Sequence, residues 1–215
     1  MIKKWVEEVQ NRFEKGLPGH AKIGMAPANR SIRRFEEQEF PTAKKASVLV
    51  LVYPKGEELY TVVMQRPDYD GVHSSQVSFP GGKEEPEDDS PWHTAVRESE
   101  EEVGVVQQLI HPVLPLSPLY IPPSDFFVRP FLAYALERPE FIIDTYEVSE
   151  LMEFPINKLL DDTIKGTMEI NRKALNFKVP CYNLSGKQIW GATAIILSEL
   201  EAMLKLVNSV NESDS

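Results

Sequence analysis

Three glutamates stand where negative charge is costly. Glu98, Glu101 and Glu102 fall in the last half of a helix predicted over residues 91–103, the end at which the macrodipole already gathers carbonyl density. Glu98 and Glu102 form a like-charge i,i+4 pair, which adds roughly 0.2–0.5 kcal/mol of repulsion. Arg97 offsets only part of it. At i, i+3 and i+4 the three carboxylates project from one helix face, while Glu100 points elsewhere. The plain alternative is a solvated acidic helix with no metal. Two features weigh against it. The acids sit at the wrong end for the dipole, and they follow Gly81-Gly82, a turn that can bring main-chain carbonyls close. Convergent carboxylates with carbonyl oxygen suit a hard cation, magnesium or manganese. Magnesium completes its shell with water and substrate phosphate, which points to phosphoryl chemistry.

The elements that must position these groups can be read around them. Ser90 is a good N-cap, Pro91 fits the first helical position, Asp88 and Asp89 lie near the positive helix N-terminus, and Gly104 closes the helix. A strand at 75–79 leads into Pro80-Gly81-Gly82. A buried hairpin, 47–53 and 59–66, precedes it, around a turn containing Gly56. Residues 126–136 are strand-like and aromatic-rich, and Pro130 suggests an edge or a bulge. Residues 175–190 read as a hairpin turning at Ser185-Gly186. A first helix is predicted over 2–15, with Ile2, Trp5, Val6, Val9 and Phe13 on one face. A last helix runs from about Gly191 to Val207, with Ile196, Leu200, Met203, Leu204 and Val207 on one side. The sum is an α/β sheet protein with helices on its faces. Residues 1–45 read as a helix and arm packed on the domain, 46–208 as the domain, and 209–215 as a frayed tail.

Composition narrows the partners. Lys and Arg number 23 and Asp and Glu 33, a net charge of 23 − 33 = −10. That argues against nucleic acid, whose phosphates need clustered cations. The single Cys181 leaves no intrachain disulfide and no Cys-based zinc cluster. The longest apolar runs, such as 46–54, are strand-sized and too short for a bilayer. The acid-bearing amphipathic start does not read as a signal peptide, and a cytoplasmic location is expected.

The run Gly82…Arg97-Glu98-x-x-Glu101-Glu102-x-Gly104-Val105 resembles the Nudix box, the signature of hydrolases acting on nucleoside diphosphates linked to another group. The resemblance implies an α/β/α sandwich with a mixed sheet and a loop-helix-loop metal site. It implies that Glu98, Glu101 and Glu102 hold Mg2+ or Mn2+ with a main-chain carbonyl at Gly81 or Gly82, and that Arg97 orients a neighbouring glutamate. Asp88 stands at the box's usual acid position, one extra residue follows before Arg97, and Ser99 replaces an apolar residue. Upstream, Arg66, His73 and Phe79-Pro80-Gly81-Gly82 resemble the motif of the coenzyme A diphosphatase branch, whose segments are matched along most of the chain. Pro67 and Ser75 depart from that motif. Arg66, His73, Phe79, Gly81 and Gly82 are thereby expected to meet a small coenzyme A-like nucleotide. Trp190 could stack on a base or belong to the core. Glu98, Glu147 and Glu150 are all admissible general bases. Other nucleotide substrates, such as ADP-ribose or a dinucleotide, and a non-catalytic binding module are the rival readings. A homodimer is what the resemblance suggests.

Overall fold

The computed structural model describes residues 1–19, 25, 35–68, 76–172 and 175–211. Its organising element is β1 (Lys44–Lys55), which is apolar on both faces. Leu49, Leu51 and Tyr53 are buried on one side, and Ala46, Val50 and Val52 on the other. A strand of that pattern must be covered twice. Helix α2 (Pro91–Val103) covers the first face, packing Ala95, Val96 and Val103 on Leu49, Leu51, Val62 and Met64. Helices α1 (Ile2–Phe13) and α3 (Gly191–Asn211) cover the other, where Val6 and Val9 share a cluster with Leu197, Leu200 and Met203. The result is an α/β/α sandwich.

One edge of β1 runs parallel to β7 (Phe126–Tyr134). The other carries two antiparallel partners in succession. Strand β2 (Glu58–Gln65) pairs with β1 only at its far end, Val52↔Thr61 to Lys55↔Glu58. Before that point the two strands part, and residues 77–83 enter between them. There β3 (Val77–Ser78) pairs with β2, and β4 (Gly81–Lys83) pairs with β1. Strands β5 (His111–Pro115) and β6 (Leu119–Ile121) add to β7, and β8 (Glu150–Pro155) to β2, making an eight-stranded mixed sheet. A second sheet holds β9 (Lys165–Arg172), β10 (Leu175–Leu184) and β11 (Lys187–Trp190). It is pinned to α3 by the buried Glu201, which accepts from Tyr182 Oη and Lys165 Nζ, each at 2.6 Å.

Pro130 lies inside the sheet, opposite Val48 of β1, not on an outer edge. Within a strand a residue's N–H and C=O point the same way. The Pro130 carbonyl accepts from Leu116 N at 2.9 Å, in the connection between β5 and β6. The missing donor therefore faces a break in pairing, and the ladder to β1 is unharmed. Other differences are of extent: the first helix ends at Phe13, β1 starts at Lys44, and the strand predicted over 75–79 covers only 77–78. No helix among the described residues is long and apolar enough to cross a membrane.

Candidate active site

The site is built where β1 and β2 part. Helix α2 starts as its sequence predicts. Ser90 Oγ accepts from His93 N at 3.1 Å, Pro91 opens the first turn, and Gly104 ends the helix in the left-handed region at φ 73°. Its last carbonyls are satisfied from outside. Ile142 N donates to Val103 O and Asp144 N to Glu102 O, each at 3.0 Å, so Ile142 and Asp144 cap the end that carries the acids.

Asp88, just ahead of the helix, is the buried anchor of this corner. It accepts from Arg97 Nε and Nη2, both at 2.9 Å, from Thr94 Oγ1 and from Glu85 N. This fork-to-fork pair is the strong form of a charge-assisted bond. It holds the Asp88 carboxyl well below the usual carboxylate range, mainly through the Arg97 bonds. Thus anchored, Arg97 reaches Glu101 at 2.9 Å, Glu98 at 3.2 Å and the Lys83 carbonyl at 3.2 Å. Asp88→Asn should lower stability by about 1–3 kcal/mol, a melting shift of roughly 2–12 °C. The sign of the pH effect follows. The folded pKa of Asp88 lies below its unfolded value of about 3.9, so its contribution is complete above that value and fades as the pH falls further. The gap in melting temperature between wild type and Asp88→Asn should therefore be full at pH 6 and close below pH 4. A gap independent of pH would remove Asp88 as the anchor.

The Gly81-Gly82 turn has two different reasons to lack side chains. Gly81 has φ 145°, and a Cβ there would run into Ser47 O and Val48 of β1. A Cβ on Gly82 would fall on the carboxylate of Glu98. The turn is held by Glu102, which is 1% exposed and accepts from Gly81 N at 2.7 Å and from Arg66 Nη2 at 2.9 Å. Arg66 Nη2 also donates to Gly81 O at 3.2 Å. Burial pushes the Glu102 pKa up to about 8; Arg66 and the Gly81 N–H oppose the rise, and Glu98 and Glu147 add to it. Burial likewise raises Glu98, against Arg97 and with help from Glu101 and Glu147.

A cavity of about 690 Å³ opens here, with Arg66, Gly81, Gly82, Glu98, Glu102 and Glu147 at its charged end. Glu98 and Glu102 thus share the site. Glu101 does not line it: its side chain is 57% exposed and paired with Arg97. Two of the three expected carboxylates line the cavity, and the third meets Glu98 across the Arg97 guanidinium. At 3.6 residues per turn Glu101 and Glu102 diverge by about 100°, so seating Glu102 against the sheet turns Glu101 to solvent. Among the described residues no group of three His, Cys, Asp or Glu side chains is gathered to hold a metal. The donor set still suits a hard cation, because it is all oxygen, and the bare Cα of Gly82 lets the Glu98 carboxylate lie against the turn.

The remaining candidates fall as follows. Phe79 is buried and lines the cavity, as do the half-buried Trp190 and the buried Thr193, whose Oγ1 donates to Val77 O at 2.9 Å. Glu150 is paired with Lys187 at 2.8 Å. His73 and Ser75 lie outside the described residues. Ser99 fits its apolar slot because its buried hydroxyl donates to Ala95 O at 2.7 Å and so is itself satisfied. The bidentate role of Asp88 went unread in the sequence. Its signal was an acid nine residues before an arginine, across a helix start.

Residues 43–174 match the NUDIX domain. The chain belongs to the Nudix family. It is 29% identical over 203 residues to the uncharacterized Nudix hydrolase NudL of Yersinia pestis (strain Pestoides F), covering 94% of this chain and 96% of that one. The same figures hold for NudL of Yersinia pseudotuberculosis serotype O:1b (strain IP 31758). Among solved structures it resembles RenU, a Nudix hydrolase from M. Smegmatis, with a TM-score of 0.51 at 12% identity over 78% of this chain and 88% of that one, a likeness of fold. This Nudix protein is a hydrolase of phosphorus anhydrides, of the pyrophosphohydrolase type. Nudix hydrolases generally use divalent metal ions.

Proposed function

We propose that this Nudix hydrolase is a coenzyme A diphosphatase, cleaving coenzyme A or its thioesters to 4′-phosphopantetheine (or its acyl form) and adenosine 3′,5′-bisphosphate. The observation that carries the reading is the joint between two motifs. Arg66, from the segment that resembles the coenzyme A branch, bonds both the Gly81 carbonyl and Glu102 of the Nudix box. The contact between that segment and the Nudix box supports the reading.

Glu98 and Glu102 would hold Mg2+ or Mn2+ together with a main-chain oxygen of the Gly81-Gly82 turn, with Glu101 at the periphery. The cation supplies Lewis acidity, neutralising the diphosphate and activating water. Arg97 positions Glu98 and does not touch the substrate. Arg66 has donors beyond those committed to Glu102 and Gly81, and these suit a substrate phosphate. His73 is assigned to substrate recognition on the resemblance. Glu147, exposed at the cavity, is the better placed proton acceptor, since Glu150 is committed to Lys187. A cytoplasmic enzyme, and a homodimer, belong to the same proposal.

The test is hydrolysis of coenzyme A against ADP-ribose, with magnesium and with manganese, products separated by chromatography. Adenosine 3′,5′-bisphosphate should form faster than AMP does from ADP-ribose; the reverse order overturns the substrate. Either cation at about 100 times its Kd should stabilise the fold by about 2.7 kcal/mol, a rise of several degrees in melting temperature. An unmoved midpoint would remove the metal assignment.

A further inference from the structure

The turn that carries Glu147 is held by hydrogen bonds rather than by packing. Residues 144–147 are all exposed, Tyr146 to 91%. Asp144 supplies the acceptors. Its Oδ1 accepts from Tyr146 N at 2.8 Å, and its carbonyl accepts from Glu147 N at 3.1 Å and from Val148 N at 2.8 Å. Its own N–H is the donor to Glu102 O, so the same residue ties the turn to the end of α2. On the far side Val148 is buried in the cluster of Val62, Met64 and Ala95. Ser149 follows, and its N and Oγ both donate to Gln65 O at the end of β2, at 2.9 and 3.0 Å. Glu147 lies between these two fixed points and lines the cavity with Glu98 and Glu102. Its charge acts on both of them, raising their pKa values.

We propose that Asp144 is a positioning residue for the reaction, its side chain fixing the turn that aims Glu147 at the site. The inference rests on the reading of Glu147 as proton acceptor given above. A base works only within hydrogen-bond reach of the proton it takes, and a misplacement near 1 Å costs about 10²-fold. Without the Asp144 carboxylate the Tyr146 N–H turns to water. That amide is in an exposed turn, so solvent satisfies it and the fold survives. The main-chain bond from Asp144 N to Glu102 O is open to any residue at this position.

The experiment is a double-mutant cycle on Asp144 and Glu147. It is read with coenzyme A and with ADP-ribose, so that the choice of substrate does not decide it. Glu147→Gln should lower kcat by on the order of 10²-fold or more. Asp144→Ala should lower kcat by about 10- to 100-fold, with KM within about threefold of wild type. Asp144→Asn loses the same charge but keeps the acceptor, and should restore kcat to within about threefold of wild type. On the Glu147→Gln background Asp144→Ala should cost no more than about twofold. Asp144→Ser, whose hydroxyl holds such turns more weakly, should fall between Asn and Ala; it carries the same cycle if the alanine variant does not fold. An equal loss on both backgrounds makes Asp144 merely structural and overturns the inference. So does wild-type kcat in Asp144→Ala, or an asparagine variant as impaired as the alanine one; each leaves Glu147 as the proton acceptor. Wild-type kcat in Glu147→Gln overturns the proton-acceptor reading itself, and this inference with it.

Discussion

Glu98→Gln should yield a folded protein that has lost turnover by on the order of 10³-fold. Several kcal/mol of transition-state charge stabilisation depend on a cation held at this carboxylate, and each 1.36 kcal/mol is a factor of ten in rate. The amide is the same size and gives up only a 3.2 Å bond from Arg97, so stability should change by less than about 1 kcal/mol. The measurement is kcat under saturating magnesium beside a thermal melt. Near-wild-type kcat would strip Glu98 of its place at the metal. Glu102→Gln is a harsher companion. It should be as inactive, but it also removes the charge facing Arg66, so its melt is expected to move further. The contrast in stability separates the two carboxylates: one serves the site alone, and the other also holds the turn.

Gly82→Ala should cost on the order of 10²-fold in kcat/KM while leaving the protein folded. The added methyl falls on the Glu98 carboxylate and displaces it, and a misplacement near 1 Å in a catalytic group is worth about that much. Only the far end of a flexible side chain has to move, not main chain, so the fold tolerates the change. Gly81→Ala should behave in the opposite way. There the Cβ meets main chain of β1, and the positive φ adds strain. Loss of soluble protein or a melting point well below wild type is expected before any kinetic effect. If both variants fail by unfolding, the reading of Gly82 as room made for Glu98 is wrong.

The helix and its purpose were legible because each cue was local. Ser90, Pro91 and Gly104 mark its ends, and the misplaced glutamates ask for a cation. Periodicity found α1, α3 and the β1–β2 hairpin in the same way. What was not legible depends on distance along the chain. Asp88 looks like a helix-dipole residue until Arg97 is seen folded back onto it. The parting of β1 and β2, which makes room for Gly81-Gly82, leaves no mark on either strand's apolar pattern. Strands β5, β6, β8 and β9 are short, Pro-containing or polar, and they exist because a neighbouring edge needs hydrogen-bond partners. Helical spacing alone put Glu101 with its neighbours; the choice of which carboxylate turns inward belongs to the sheet.

The hydrogen bonds from Ile142 and Asp144 to the last turn of α2 bind the rim of the cavity to the acidic helix. In the language of hydrogen exchange, the protection of those two amides should depend on the last turn of the helix staying formed. The segment that carries Glu147 is therefore not an independent cassette. Transplanting residues 142–148 from a relative with another substrate would also change how the helix ends, and with it the placement of Glu98 and Glu102. Within this architecture, a change of specificity at that rim and a change in catalytic power are the same structural event.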